Sequence, residues 1–293
     1  MASHHTRALG WSLALGIGAA AACAQPLATV LEQSVEARRL TADLQVQLAK
    51  AANAANQAVM ADTDEASTAY AREAGQETES VQKDIDALAP LLARLGYSAE
   101  GTLLDEFTTR FGKYRELDRT VLDLAVQNTN LKAQRQSFGP AQQASDEFRT
   151  ALEAVSPRVP TDAWHVKALV AAAVSEVRHI QVLEAPHIAE ADDVAMTSLE
   201  KQMASSEAVV RRALGDLAGL VQPASRPQVA AANADFDRFM AINSEIVTLS
   251  RRNSNVRSLA LSLGQKRMLT AACEDSLRAL QGALDKREFV ATR

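Results

Sequence analysis

Two stretches decide the fold: Phe111 to Pro140, FGKYRELDRTVLDLAVQNTNLKAQRQSFGP, and Phe236 to Gln265, FDRFMAINSEIVTLSRRNSNVRSLALSLGQ. Slid over each other by 125 positions, Phe111 meets Phe236, Tyr114 meets Phe239, Leu117 meets Ile242, Val121 meets Ile246 and Leu124 meets Leu249. The polar run Asn128-Thr129-Asn130 falls on Asn253-Ser254-Asn255. Lys132 then meets Arg257, Ser137 meets Ser262, Gly139 meets Gly264 and Leu152 meets Leu277. Shared apolar spacing, a shared polar break and a shared glycine in one register mark an internal duplication. The apolar positions step by three and four, so each stretch lays one greasy face along a helix.

Working outward, the same stepping runs through Ala74, Thr78, Val81, Ile85, Leu88 and Leu92, and through Met196, Leu199, Met203, Val210, Ala213 and Leu217. These earlier parts of the repeat align with a further shift of about three, Asp64 falling on Asp192. Period-two alternation is absent, so the spacing predicts an all-α chain without a sheet. Each half divides into four helical segments, 27–61, 64–95, 101–127 and 130–156, then 161–185, 191–221, 227–252 and 255–286. Such lengths with short loops suit antiparallel four-helix bundles. The expected domains are a first bundle over 25–157 and a second over 158–293, joined by the stiff linker Ser156 to Pro160. That short linker predicts two bundles side by side, as a pseudo-dimer; an end-to-end stack would need a helix through 150–170. The third turn of each half falls either at Asn-x-Asn or at the glycine, since Gly139-Pro140 is the stronger breaker.

Of 293 residues, 47% are hydrophobic and 23% charged, which excludes a disordered chain. Acids outnumber bases, 36 to 31, which argues against nucleic acid as partner. The start reads as a cleavable signal peptide over 1–24, with Arg7, an apolar run from Ala8 to Ala22, and Ala22-Cys23-Ala24 as cleavage site. A periplasmic protein follows from that reading, and an N-terminal membrane anchor is its alternative. No later stretch is apolar enough for a transmembrane helix. Cys273 is then left alone, as a small buried apolar residue.

The run from Phe107 to Leu152 resembles the four-helix-bundle sensory module of bacterial chemoreceptors and related signal transducers. Phe111 and Tyr114, the string Val121-Leu122-Asp123-Leu124-Ala125, the polar break, Ala133 and the acidic turn Asp62-Thr63-Asp64-Glu65 carry the likeness, and 236–280 reads as a second copy. The resemblance implies ligand binding near the end where the first and third turns meet, using arginines and helix ends, for small solutes that are often carboxylates. Receptors of that family carry a second membrane helix and a signalling region, neither seen here, so a separate membrane-bound partner is expected to carry the signal.

In the second half that end gathers Arg251, Arg252, Asn253, Asn255 and Arg257; in the first, Asn128, Asn130, Lys132 and Arg135. Guanidinium donors match both oxygens of a carboxylate, and helix N-termini add N–H groups, so these residues form the expected anion site. Competing readings make the asparagines helix caps or buried register-setters, and pair the arginines with the acidic turn. Glu184, His187 and Glu190 at three-residue spacing suggest a His–carboxylate contact. A metal is not expected, because the ligand set cannot be completed. No nucleophile elbow, zinc-protease or phosphate-loop motif occurs, so neither catalysis nor a cofactor is expected. The sequence-level function is a non-catalytic binding module for a small anion. The alternative is an envelope scaffold docking partner helices through the small faces Ala51, Ala55 and Ala58.

Overall fold

The computed structural model describes residues 27–155 and 163–287, and every regular element in them is helical. The expected signal peptide over 1–24 and the expected linker over 156–160 lie outside the described residues. Helices α1 (Leu27–Met60), α2 (Asp64–Leu95) and α3 (Ser98–Ala125) open the first half. A long bent rod closes it: α4 (Thr129–Gln136), a π-helical turn Ser137–Ala141, and α5 (Gln142–Glu153). The second half repeats this with α6 (Trp164–Ala189), α7 (Asp193–Leu220) and α8 (Arg226–Arg252). Its closing rod is α9 (Ser254–Leu261), a π turn Ser262–Lys266, and α10 (Arg267–Asp285).

Local chemistry sets the ends. Thr63 caps α2 by accepting from the Ala66 amide at 3.1 Å, and Asp192 caps α7 through the Ala195 amide at 2.7 Å. Gly96, at φ 69°, ends α2 in the left-handed conformation a glycine takes without strain. The caps place Thr63 opposite Asp192, so the early helices repeat at one residue more than the Asp64–Asp192 alignment. Buried Ser67, Val81 and Leu88 then fall on buried Met196, Val210 and Leu217. Pro186 does not interrupt α6, which continues to Ala189.

The third turn lies at the asparagines, not at Gly139-Pro140. A π turn absorbs Gly139-Pro140, widening the helix where proline lacks an N–H. The second copy has the same π turn at the same register without a proline, so the widening belongs to the repeat itself.

The expected sequence-contiguous bundles over 25–157 and 158–293, packed side by side, give way to an exchange. One core joins Leu44, Leu88, Phe107, Phe111 and Tyr114 to Cys273, Leu277, Leu280 and Leu284 of α10. The other joins Phe148, Leu152 and Val155 to Val170, Ile180, Phe236 and Phe239. Each half therefore sends its closing rod into the other lobe. Arg287 fixes one such rod by a two-pronged bond to buried Glu100 of α3, both contacts 2.7 Å.

The backbone explains the exchange. Two of the turns that reverse the chain contain extended residues, Thr63 at ψ 154° in one and Glu190 at ψ 137° and Asp192 at ψ 121° in the other. A third reverses through left-handed Gly96 with one further non-helical residue, Tyr97, before α3. Between α3 and α4, and between α8 and α9, the break is a left-handed residue: Asn128 at φ 50° and Asn253 at φ 54°. No extended residue follows, and the next helix begins at once. The chain is deflected rather than folded back, so α3 does not pack on α4 and α8 does not pack on α9. The main helix contact between the lobes is α4 against α9, so they join at their tips and not along their flanks.

The alanine face of α1 turns inward. Ala51, Ala54, Ala55 and Ala58 are buried, where α6 carries Ile180, Leu183, Glu184 and His187. Small side chains draw α1 onto α2, the most extensive helix pair among the described residues. These alanines are therefore not a docking face for a partner helix.

Candidate functional site

The asparagine pairs build the junction between lobes. The Thr129 amide donates to Ser254 Oγ at 3.1 Å, and the Ser254 amide donates to Thr129 Oγ1 at 3.0 Å. One residue on, the Asn130 amide donates to Asn255 Oδ1 and the Asn255 amide to Asn130 Oδ1, both at 3.1 Å. Each rod thus has its N-terminus capped by the other, in a pseudo-twofold arrangement. Asn255 Nδ2 donates to Asn128 Oδ1 at 3.0 Å, and Asn130 Nδ2 donates to Asn253 Oδ1 at 2.8 Å and to the Ile188 carbonyl at 2.7 Å. Asn253 Nδ2 donates to the Glu190 carbonyl at 2.7 Å, whereas Asn128 Nδ2, fully buried, has no partner. The helix-end N–H groups expected to hold an anion are thus spent on each other.

The basic residues scatter around this junction. Arg251 grips Glu200 of α7 through Nε at 2.6 Å and Nη2 at 3.0 Å, and also reaches Thr197 and Asp193. That grip holds the Glu200 carboxyl below its ordinary range. Lys132 donates to the Gln127 carbonyl and lies 3.6 Å from Asp64; Arg135 donates to the Asp62 carbonyl. Arg252 and Arg257 are exposed. The structure does not bring these cations together around one space.

His187, fully buried, does meet a carboxylate, but of Glu200 rather than Glu184 or Glu190. Its Nε2 lies 2.9 Å from Glu200 Oε1 and its Nδ1 2.8 Å from Ser250 Oγ, which itself donates to the His187 carbonyl at 2.7 Å. Glu190 instead caps the amides of Ala191 and Asp192. Glu184 turns to Ser137 Oγ at 2.5 Å, and burial pushes its carboxyl up to about 7. Glu200 gave no sequence signal, because its partners lie thirteen and fifty-one residues away on other helices.

A space a ligand could enter lies elsewhere, between α1 and the α9–α10 rod of the first lobe. This groove, about 420 Å³, has Ala52, Val59, Met60, Leu259 and Leu263 along its walls and Asn56, Ser262 and Lys266 among its polar groups. Ser262 Oγ donates to Asn56 Oδ1 at 2.9 Å. Lys266 is 2% exposed and sits in the π turn, where the other copy has Ala141. Its Nζ lies 2.6 Å from Asp118 Oδ1 and 5.7 Å from the centre of the Tyr114 ring. The ion pair is close but skewed from ideal hydrogen-bond alignment, no other described side chain accepts from Lys266 Nζ, and the Tyr114 hydroxyl has no partner. Burial raises the Asp118 carboxyl above its ordinary range, and the Lys266 charge opposes that rise. An ammonium has three donors, so Lys266 holds unspent ones beside an apolar groove.

Comparison with family models, with curated proteins and with solved structures finds no match to this chain.

Proposed function

We propose that this protein is a non-catalytic, sensory-like binding module of the periplasm that captures a small organic anion and acts through a separate membrane partner. The observation that carries the reading is Lys266: a buried ammonium with unspent donors beside a groove of the first lobe. A buried cation of this kind rewards an incoming oxyanion with charge-assisted hydrogen bonds. The resemblance to chemoreceptor sensory modules supports the same class. In this reading the lobes are two four-helix bundles, copied from one unit, that exchanged their fourth helices. Their different fillings put a buried cation beside the groove of the first lobe and an alanine, Ala141, at the matching position of the other. No helix among the described residues is long and apolar enough to cross a membrane, which fits a signal passed to another chain.

A thermal-shift screen of organic acids, including mono- and dicarboxylates and amino acids, tests the reading. At least one class raises Tm by several degrees at millimolar concentration, and Ala52→Phe, which fills the groove, removes the shift. No shift with any acid overturns the proposal.

A further inference from the structure

We infer that Asp118 stands in for the ligand's carboxylate: a monocarboxylate with an apolar tail enters the groove, takes its place at Lys266, and leaves Asp118 to accept a proton from solvent. The inference rests on the anion-binding reading and specifies its chemistry. Ala52, Val59, Met60, Leu259 and Leu263 offer the groove walls to a hydrocarbon, which argues for a tail. A dicarboxylate would bring a second charge against those walls without a second buried cation.

The head meets Lys266 from the groove, while Asp118 meets it from the core. Two ionised carboxylates on one ammonium in a dry site repel, and such a pair resolves by one taking a proton. Asp118 is the group placed to do so. It is 3% exposed, and the buried Lys266 is its cation contact. Burial already favours its neutral form. The other charges around it are accounted for. From its own helix come Tyr114, Arg115, Arg119 and Asp123; from α2 comes Glu79. Arg115 is engaged with Gln82, and Arg119, Asp123 and Glu79 line a solvent-open groove between α2 and α3, where water screens them. The wall residues from α1 carry no charge. Arg267 and Glu274, of opposite sign, also line the ligand groove.

Calorimetric titration of the whole protein with straight-chain monocarboxylates from acetate to octanoate, in buffers of different ionisation enthalpy at pH 5.5 and 8, tests this. Affinity rises with chain length until the groove is full, close to one proton is taken up per ligand, and binding weakens toward pH 8 by up to about tenfold per pH unit. Hexanol and hexylamine give no saturable heat. Lys266→Met abolishes binding, and Asp118→Asn binds without proton uptake and without the pH dependence. Should Asp118→Asn not fold, the proton uptake of the natural protein decides the matter alone. Monocarboxylate binding without proton uptake, or binding retained by Lys266→Met, overturns the inference while leaving the broader anion reading standing. No heat with any of the series overturns the inference too, and the broad acid screen then separately decides the reading beneath it.

Discussion

Glu184 is a buried carboxyl that no cation among the described residues meets. It is 1% exposed, its Oε2 takes the Ser137 hydroxyl, and its Oε1 has no partner. The position where the first lobe has Lys266 is Ala141 here, so no cation offsets its burial. Its carboxyl is accordingly raised from 4.5 to about 7. The sign follows directly. Below the unfolded value both states hold the proton and nothing is lost. As pH climbs toward 7 the unfolded chain releases its proton while the folded one keeps it, so stability falls with rising pH. The loss levels off above the folded value, at roughly 3 kcal/mol for a shift of this size. Glu184→Gln keeps a neutral, Ser137-accepting side chain and removes the titration. Chemical denaturation at pH 5 and pH 8 shows a smaller drop for the variant than for the natural protein. An equal drop in both assigns the effect to other groups.

At the scale of elements, the four asparagines do more than cap helices. Their repeat signalled a turn, and a cap was among the sequence-level readings. Their partners were not legible, because each cap comes from the other half, 125 residues away. Asn130 carries the largest share. Its Oδ1 caps the Asn255 amide, and its Nδ2 holds both Asn253 and the Ile188 carbonyl. Asn130→Ala leaves all three groups unpaired in a largely buried junction, and costs about 3 kcal/mol on the usual scale for unsatisfied buried polar groups. Thermal melts followed by circular dichroism show the loss. A change within a few tenths of a kcal/mol means that water replaces the amide. The periodic faces of α2, α3, α7 and α8 were legible for the opposite reason: burial of one stripe is a local property of a helix, whichever neighbour covers it.

At the scale of the molecule, that indifference is why the exchange was hidden. Phe148, Leu152 and Val155 on one closing rod stand in register with Cys273, Leu277 and Leu280 on the other, and all six are buried. Either rod offers an apolar face that suits either lobe, so pattern alone could not assign them. What assigns them is the turn, a left-handed asparagine directly after which the next helix begins. The consequence can be tested at Arg110, which donates to Ser276 Oγ at 2.7 Å and to the Ala272 carbonyl at 3.0 Å. In a sequence-contiguous bundle Arg110 would instead face Ala151, the residue in register with Ser276. With Cys273→Ser as background, cysteines at 110 and 276 are bridged within one chain by a short bis-maleimide, seen as a mobility shift on a denaturing gel, and cysteines at 110 and 151 are not. The reverse result would restore the contiguous bundles and remove Lys266 from the side of Asp118, since that residue reaches the first lobe only on the exchanged rod. Rod exchange and groove thus stand together: a groove built from α1 and α9–α10 exists only because the second half supplies the wall that the first half sends away.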